Sequence, residues 1–140
     1  MEAVYQTPDK GRVSLFLRNP NNDILIVIDA RVDWYSWKHT LVLNSKTAHG
    51  SWQQEAHPSG FPFPCCGYVT RVTLRVEMSD SDSAFIISAN GKEITKYPYR
   101  EGLRPPISNI EYMFDDTGAS KKAKLESLSV YYQRVGRLSM

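Results

Sequence analysis

Ile24-Leu25-Ile26-Val27-Ile28-Asp29-Ala30-Arg31 is the stretch on which the fold turns. Ile24, Ile26, Ile28 and Ala30 fall on one face of a period-two pattern, and Leu25, Val27, Asp29 and Arg31 on the other. One face is wholly apolar and the other ends in two opposite charges. That pattern predicts a strand packed on one side, because successive side chains of an extended chain point in opposite directions. Outward from it the same parity recurs. Val13, Leu15 and Leu17 share a face before the turn Asn19-Pro20-Asn21-Asn22-Asp23. Leu41 and Leu43 oppose Thr40, Val42 and Asn44, ahead of Ala48-His49-Gly50. Val72, Leu74 and Val76 oppose Arg71, Thr73, Arg75 and Glu77, and Leu128, Val130 and Tyr132 oppose Ser127, Ser129 and Tyr131.

Punctuation between the runs agrees with this pattern. Asn90-Gly91 separates Phe85-Ile86-Ile87 from Glu93-Ile94-Thr95, a hairpin signal because both turn residues tolerate positive φ. Arg104-Pro105-Pro106 interrupts any ladder, and Asp115 to Lys124 is polar and reads as a loop. No stretch carries a sustained 3.6-residue apolar stripe. The class expected is all-β, a sandwich of two antiparallel sheets.

Composition bounds the function. The chain has 140 residues, 41% of them hydrophobic and 23% charged, which is ordinary globular usage and one domain's worth of core. Residues 1–140 are accordingly read as a single domain. The formal net charge of +2 is too weak for a dedicated nucleic-acid binder, and Lys121-Lys122-Ala123-Lys124 reads as a solvated loop. No apolar run approaches the ~20 residues of a membrane-spanning helix, so no membrane insertion is expected. Cys65 and Cys66 are adjacent, which excludes a disulfide framework and suggests free thiols in a reducing compartment. With His39, His49 and His57 they show no ligand spacing for zinc, so no metal and no cofactor is expected.

Enzyme signatures are missing: there is no phosphate-cradling glycine loop, no G-x-S-x-G elbow and no H-E-x-x-H. Asp29 and Glu55 supply a carboxylate pair on paper, but nothing in the sequence raises either pKa, and plain hydrogen-bond acceptance is the simpler role. A different cluster stands out. Asp29 and Arg31 face outward on one strand and Asn44 on the next, and Trp52 and Glu55 follow the turn at Gly50. An indole beside a carboxylate, an amide and a guanidinium suits a sugar. The C–H face of a pyranose packs on an aromatic ring while its hydroxyls need fixed donors and acceptors. Core burial is the competing role for Trp52, set against its polar, turn-like neighbours. Trp34 and Trp37 read equally as the far end of such a site or as cover for the sandwich edge.

The stretch from Val42 to Phe63, VLNSKTAHGSWQQEAHPSGFPF, resembles the central part of a galectin carbohydrate-recognition domain. That family carries V-x-N, then W-x-x-E-x-R, then F-P-F. Here these read Val42-Leu43-Asn44, Trp52-Gln53-Gln54-Glu55-Ala56-His57 and Phe61-Pro62-Phe63. The family's H-x-N-P-R strand is similar to Val27-Ile28-Asp29-Ala30-Arg31, and the likeness continues through Tyr97-Pro98-Tyr99-Arg100 and Ile107 to Met113.

The resemblance implies a jelly-roll sandwich of the concanavalin A-like kind and a non-catalytic lectin for β-galactosides or related glycans. It also implies roles: Trp52 stacks on the galactose ring, Asn44 and Glu55 take its 6-hydroxyl, and Arg31, held by Glu55, bridges the 4-hydroxyl and the next sugar. Asp29 stands at the family's Asn. Three positions depart: Val27 replaces His, Ala30 replaces Pro, and His57 replaces the second Arg that contacts the next sugar. The alternative these departures keep open is a galectin-like interaction module without sugar binding, and the sequence boundaries also permit a lectin appendage of a larger glycan-processing enzyme.

Against the family pattern the chain looks short at its start, as if an amino-terminal strand were trimmed, and carries a tail over 133–140. An incomplete amino-terminal edge would be a template for homodimer pairing. The resemblance also implies cytoplasmic synthesis, with secretion without a signal peptide left open.

Overall fold

A computed structural model describes residues 1–59, 63 and 71–130 of the chain. Nine strands account for the regular structure among the described residues: β1 (Glu2–Gln6), β2 (Gly11–Arg18), β3 (Ile24–Trp34), β4 (Trp37–Lys46), β5 (Arg71–Ser79), β6 (Ala84–Ala89), β7 (Lys92–Pro98), β8 (Asn109–Asp115) and β9 (Lys124–Ser129). They form a five-stranded sheet in the order β7-β6-β5-β1-β9 and a four-stranded sheet in the order β4-β3-β2-β8. Every pairing is antiparallel. The expected all-β class and two-sheet architecture are what the structure shows. Phe61, Pro62, Cys65, Cys66, Tyr131, Tyr132 and the 133–140 tail lie outside the described residues.

The core is built from the inward parities. Val13, Leu15 and Leu17 of β2, Ile26, Ile28 and Ala30 of β3, and Leu41 and Leu43 of β4 meet Ala3, Tyr5, Val72, Leu74, Val76, Phe85 and Ile87 of the other sheet. All of them are essentially inaccessible to water. A buried aliphatic side chain of this kind contributes ~1.5–3 kcal/mol through removal of its apolar surface. The Asn90-Gly91 turn forms as expected, at φ of 51° and 82°.

Two expectations need correction. Alternation puts Leu25 outward with Val27, but it is buried in the core cluster. The β3–β4 register shifts between Ile24 and Val27, and that irregularity breaks the strict alternation at the start of the strand. The amino terminus is also not an open edge. Strand β1 pairs with β5 on one side and β9 on the other, in the interior of the five-stranded sheet.

One polar link joins the sheets through the core. Ser45 Oγ of β4 donates to the Leu25 carbonyl at 2.8 Å and meets the Tyr97 hydroxyl of β7 at 2.5 Å. Burial raises the Tyr97 pKa, which keeps that hydroxyl neutral.

Candidate carbohydrate-binding site

The outward faces of β2, β3 and β4 form three rows across the four-stranded sheet. Phe16, Val27 and Asn44 are in register in the first; Ser14, Asp29 and Val42 in the second; Arg12, Arg31 and Thr40 in the third. The segment after Gly50 then runs back along β4. Leu43 and Ala56 exchange backbone hydrogen bonds at 2.9 and 2.8 Å, and Gln53 N donates to the Ser45 carbonyl at 3.1 Å. That pairing carries Trp52 and Glu55 to the rim of the sheet. The result is a groove of about 270 Å³ lined by Arg12, Phe16, Val27, Asp29, Arg31, Asn44, Trp52 and Glu55, among others.

Five of the six sequence-predicted residues, Asp29, Arg31, Asn44, Trp52 and Glu55, line this one groove. His57 lies beside it, with Nε2 at 2.9 Å from Glu55 Oε1 and its ring 5.7 Å from that of Trp37. The sequence treated Asp29, Arg31 and Asn44 as an outward polar face. They are nevertheless buried, at 5%, 9% and 4% exposure, because neighbouring side chains roof the strand. Trp52, at 47%, is the open aromatic face. Its ring also has the Lys46 ammonium 5.7 Å from its centroid.

Asp29 is the hub of the polar floor. Its Oδ1 accepts from Ser14 Oγ at 3.0 Å, and its Oδ2 accepts from Arg31 Nε at 3.0 Å and Arg12 Nη1 at 3.3 Å. A buried carboxylate with three donors is compensated, and it pins both guanidinium groups. Arg31 Nη2 then stands 3.9 Å from Glu55 Oε2, an ion pair without a close hydrogen bond. The aromatic pair resolves the even choice made from sequence. Trp34 and Trp37 flank the β3–β4 turn, where Tyr35 takes a φ of 53°. Arg31 lies over both rings, at 5.3 and 4.7 Å, and Arg12 lies over Trp34 at 3.9 Å. Trp34 Nε1 donates to Asp115 Oδ2 at 3.2 Å. The two tryptophans therefore back the arginines at the far end of the groove.

Sequence reasoning passed over Arg12, Ser14, Phe16 and Arg100. The first three follow from the outward parity of β2 once its pairing with β3 is known. Arg100 carries no local signal. From the loop after β7 it donates to Asn44 Oδ1 at 2.9 Å, to the Gln54 carbonyl at 2.7 Å and to Gln53 Oε1 at 3.4 Å. Asn44 Nδ2 in turn donates to the Gln53 carbonyl at 2.8 Å. These bonds stitch the Trp52–Glu55 segment to the sheet. A second cleft, about 380 Å³, opens between β4 and β7 beside Leu43, Pro58 and Tyr97, and includes none of the groove's residues.

Comparison with known proteins agrees with this arrangement. Residues 3–116 match the family model described as galactoside-binding lectin. The chain is 27% identical over 139 residues to galectin b of Aplysina lactuca, covering 94% of this chain and 88% of the relative. A solved tetrameric galectin from the ball sponge Cinachyrella sp. superposes with a TM-score of 0.87 at 60% identity, covering 94% of this chain and 90% of that one. Congerin II with lactose and MES shares the fold at a TM-score of 0.65 and 22% identity, over 90% and 86% of the two chains.

Proposed function

The chain belongs to the galactoside-binding lectin family, and we propose that it binds a galactoside-like glycan in the groove over β2, β3 and β4. Membership makes it a lectin rather than an enzyme. One observation carries the reading: a half-exposed Trp52 ring stands beside Glu55 and Asn44, and the segment bearing Trp52 and Glu55 is held to the sheet by Arg100. The indole takes the C–H face of a pyranose, and the Glu55 carboxylate takes hydroxyl protons. Arg31, already fixed by Asp29, donates to ring or linkage oxygens with little ordering cost. His57, Asn44 and Asp29 act by holding Glu55, the Trp52 segment and Arg31.

A glycan array combined with intrinsic tryptophan fluorescence tests this. A bound glycan that quenches or shifts the Trp52 signal is expected, with loss of binding in Trp52→Ala and Glu55→Ala. Binding that survives both substitutions together removes the site from this groove. The competing reading, an interaction module without sugar, is favoured by Val27, whose apolar side chain offers no acceptor in the first row. Absence of any hit at millimolar sugar selects it. We further propose self-association, by analogy with the tetrameric sponge relative, to be read by sedimentation velocity.

A further inference from the structure

His57 lines the cleft between β4 and β7 rather than the groove, yet its Nε2 lies 2.9 Å from Glu55 Oε1. Among the described residues this is the one hydrogen bond to that carboxylate, since Arg31 Nη2 stops 3.9 Å from Oε2. Trp37 of β4 bounds the imidazole on another side, at 5.7 Å between ring centroids. The His57 and Glu55 side chains are 40% and 41% exposed, so protons from solvent reach the pair. An imidazole changes charge between pH ~5 and ~8. When neutral it divides between two tautomers. The one with hydrogen on Nε2 donates to Oε1, and the other aims a lone pair at it. When protonated it always donates, and a charge-assisted bond is about twice as strong as a neutral one.

We infer that His57 links glycan binding to pH: the groove binds more tightly when His57 is protonated, and binding draws a proton onto the imidazole. This rests on the lectin reading above and specifies its regulation. A sugar seated on Trp52 covers the groove side of Glu55 and excludes water there. The carboxylate's attraction to a cation behind it is then less screened in the bound chain than in the free one. His57 acts as a positioning residue, fixing Glu55 without touching the sugar. The other charged groups around it are cations. Lys96 of β7 and Arg100 of the following loop line the same cleft, and Arg31 reaches Glu55 from β3. Each is already engaged: Lys96 with Asp82 at 3.7 Å, Arg31 with Asp29 at 3.0 Å, and Arg100 with Asn44 and the Gln54 carbonyl. Tyr97 and Tyr99 also line the cleft, and burial raises both hydroxyls above the usual phenol range, so they stay neutral. Among the described residues lining the cleft none is acidic, which leaves Glu55 as the group that a charge on His57 acts on.

The test measures the affinity of the full chain for lactose and for N-acetyllactosamine by calorimetry at pH ~6 and ~8, a range in which ordinary carboxylates stay ionised. The inference expects about threefold tighter binding at the lower pH, the scale of one partly exposed ion pair. Near neutrality the heat of binding should vary with the buffer's ionisation enthalpy in the sense of proton uptake. His57→Gln keeps a neutral donor and His57→Arg a permanent cation, so each should bind equally well at both pH values. His57 lies outside the core cluster, so both variants should fold. Equal affinities in the native chain, tighter binding at the higher pH, or a pH response retained in His57→Gln overturn the inference and leave the lectin reading standing. No binding of either sugar at either pH overturns both.

Discussion

Arg100, in the loop that follows β7 of the five-stranded sheet, donates a 2.9 Å hydrogen bond to Asn44 on β4 of the four-stranded sheet. The same guanidinium reaches the Gln54 carbonyl at 2.7 Å and lies 4.9 Å from the Tyr97 ring centroid. One side chain therefore couples the second sheet to the segment that carries Trp52 and Glu55. Charge-assisted hydrogen bonds contribute ~1.5–3 kcal/mol each where they are shielded. Arg100→Met keeps the aliphatic stem and removes the donors. Sugar affinity should drop by about tenfold or more, and the amides of residues 53–56 should exchange faster with deuterium. Unchanged exchange in that segment would show that Arg100 is not its clamp.

Asp29 holds two arginines at once, so its loss should be felt first in stability. Breaking a buried ion pair by removing one partner costs ~3–5 kcal/mol, because the remaining charge is left uncompensated. Asp29→Ala leaves Arg12 and Arg31 facing each other in register without their shared carboxylate. Urea denaturation should show an unfolding free energy lowered by that order, and a smaller loss for Asp29→Asn. If Asp29→Ala unfolds at the native midpoint, the network contributes little.

Trp52 should behave in the opposite way. It is half exposed and outside the core cluster, so Trp52→Ala should leave the melting temperature within a degree or two. Binding should fall below detection for any sugar whose ring stacks on the indole. A differential scan paired with a titration separates the two effects.

Phe85 is fully buried in the core and packs edge-on against Tyr99 at 4.9 Å between centroids. Phe85→Ala should destabilise by ~3–5 kcal/mol through lost apolar burial and the cavity left behind. Glycan affinity of the folded fraction should be unaltered, since Phe85 lies in the opposite sheet. Chemical denaturation followed by titration below the transition checks both halves.

Alkaline pH supplies a further prediction. Burial pushes the Tyr112 hydroxyl up to about 12 and raises Tyr5 further still. Both therefore hold their protons in the folded chain after the unfolded chain has begun to lose them near ~10. Unfolding releases protons in that window, so stability is fully present below pH ~10 and declines as pH rises toward ~12. Melting temperatures between pH 9 and 12 should fall steadily, and Tyr112→Phe should flatten the fall.

Alternation along Val13–Leu17, Ile24–Arg31, Leu41–Asn44 and Val72–Val76 was enough to specify strands and the side of each that enters the core, because burial on one face demands period two. Leu25 escaped that logic, since a bulge is a property of how two strands pair. Strand β1 also escaped notice: only the partners on both of its sides show it to be interior.

Strand alternation determined the two-sheet class, and the motif Trp52-Gln53-Gln54-Glu55, with Asn44 and the Val27–Arg31 strand, was legible in sequence by itself and named five of the residues that line the candidate groove. Tertiary structure alone decided how those residues are used. Asp29 is saturated by Ser14, Arg12 and Arg31, and Asn44 by Arg100 and Ser45, through contacts that span 15 to 56 positions or arise one or two positions away. Hydrogen-bond capacity is a matter of which atoms meet in space. The Asp29 hub and the clamp from Arg100 therefore became visible only when the strands were placed side by side.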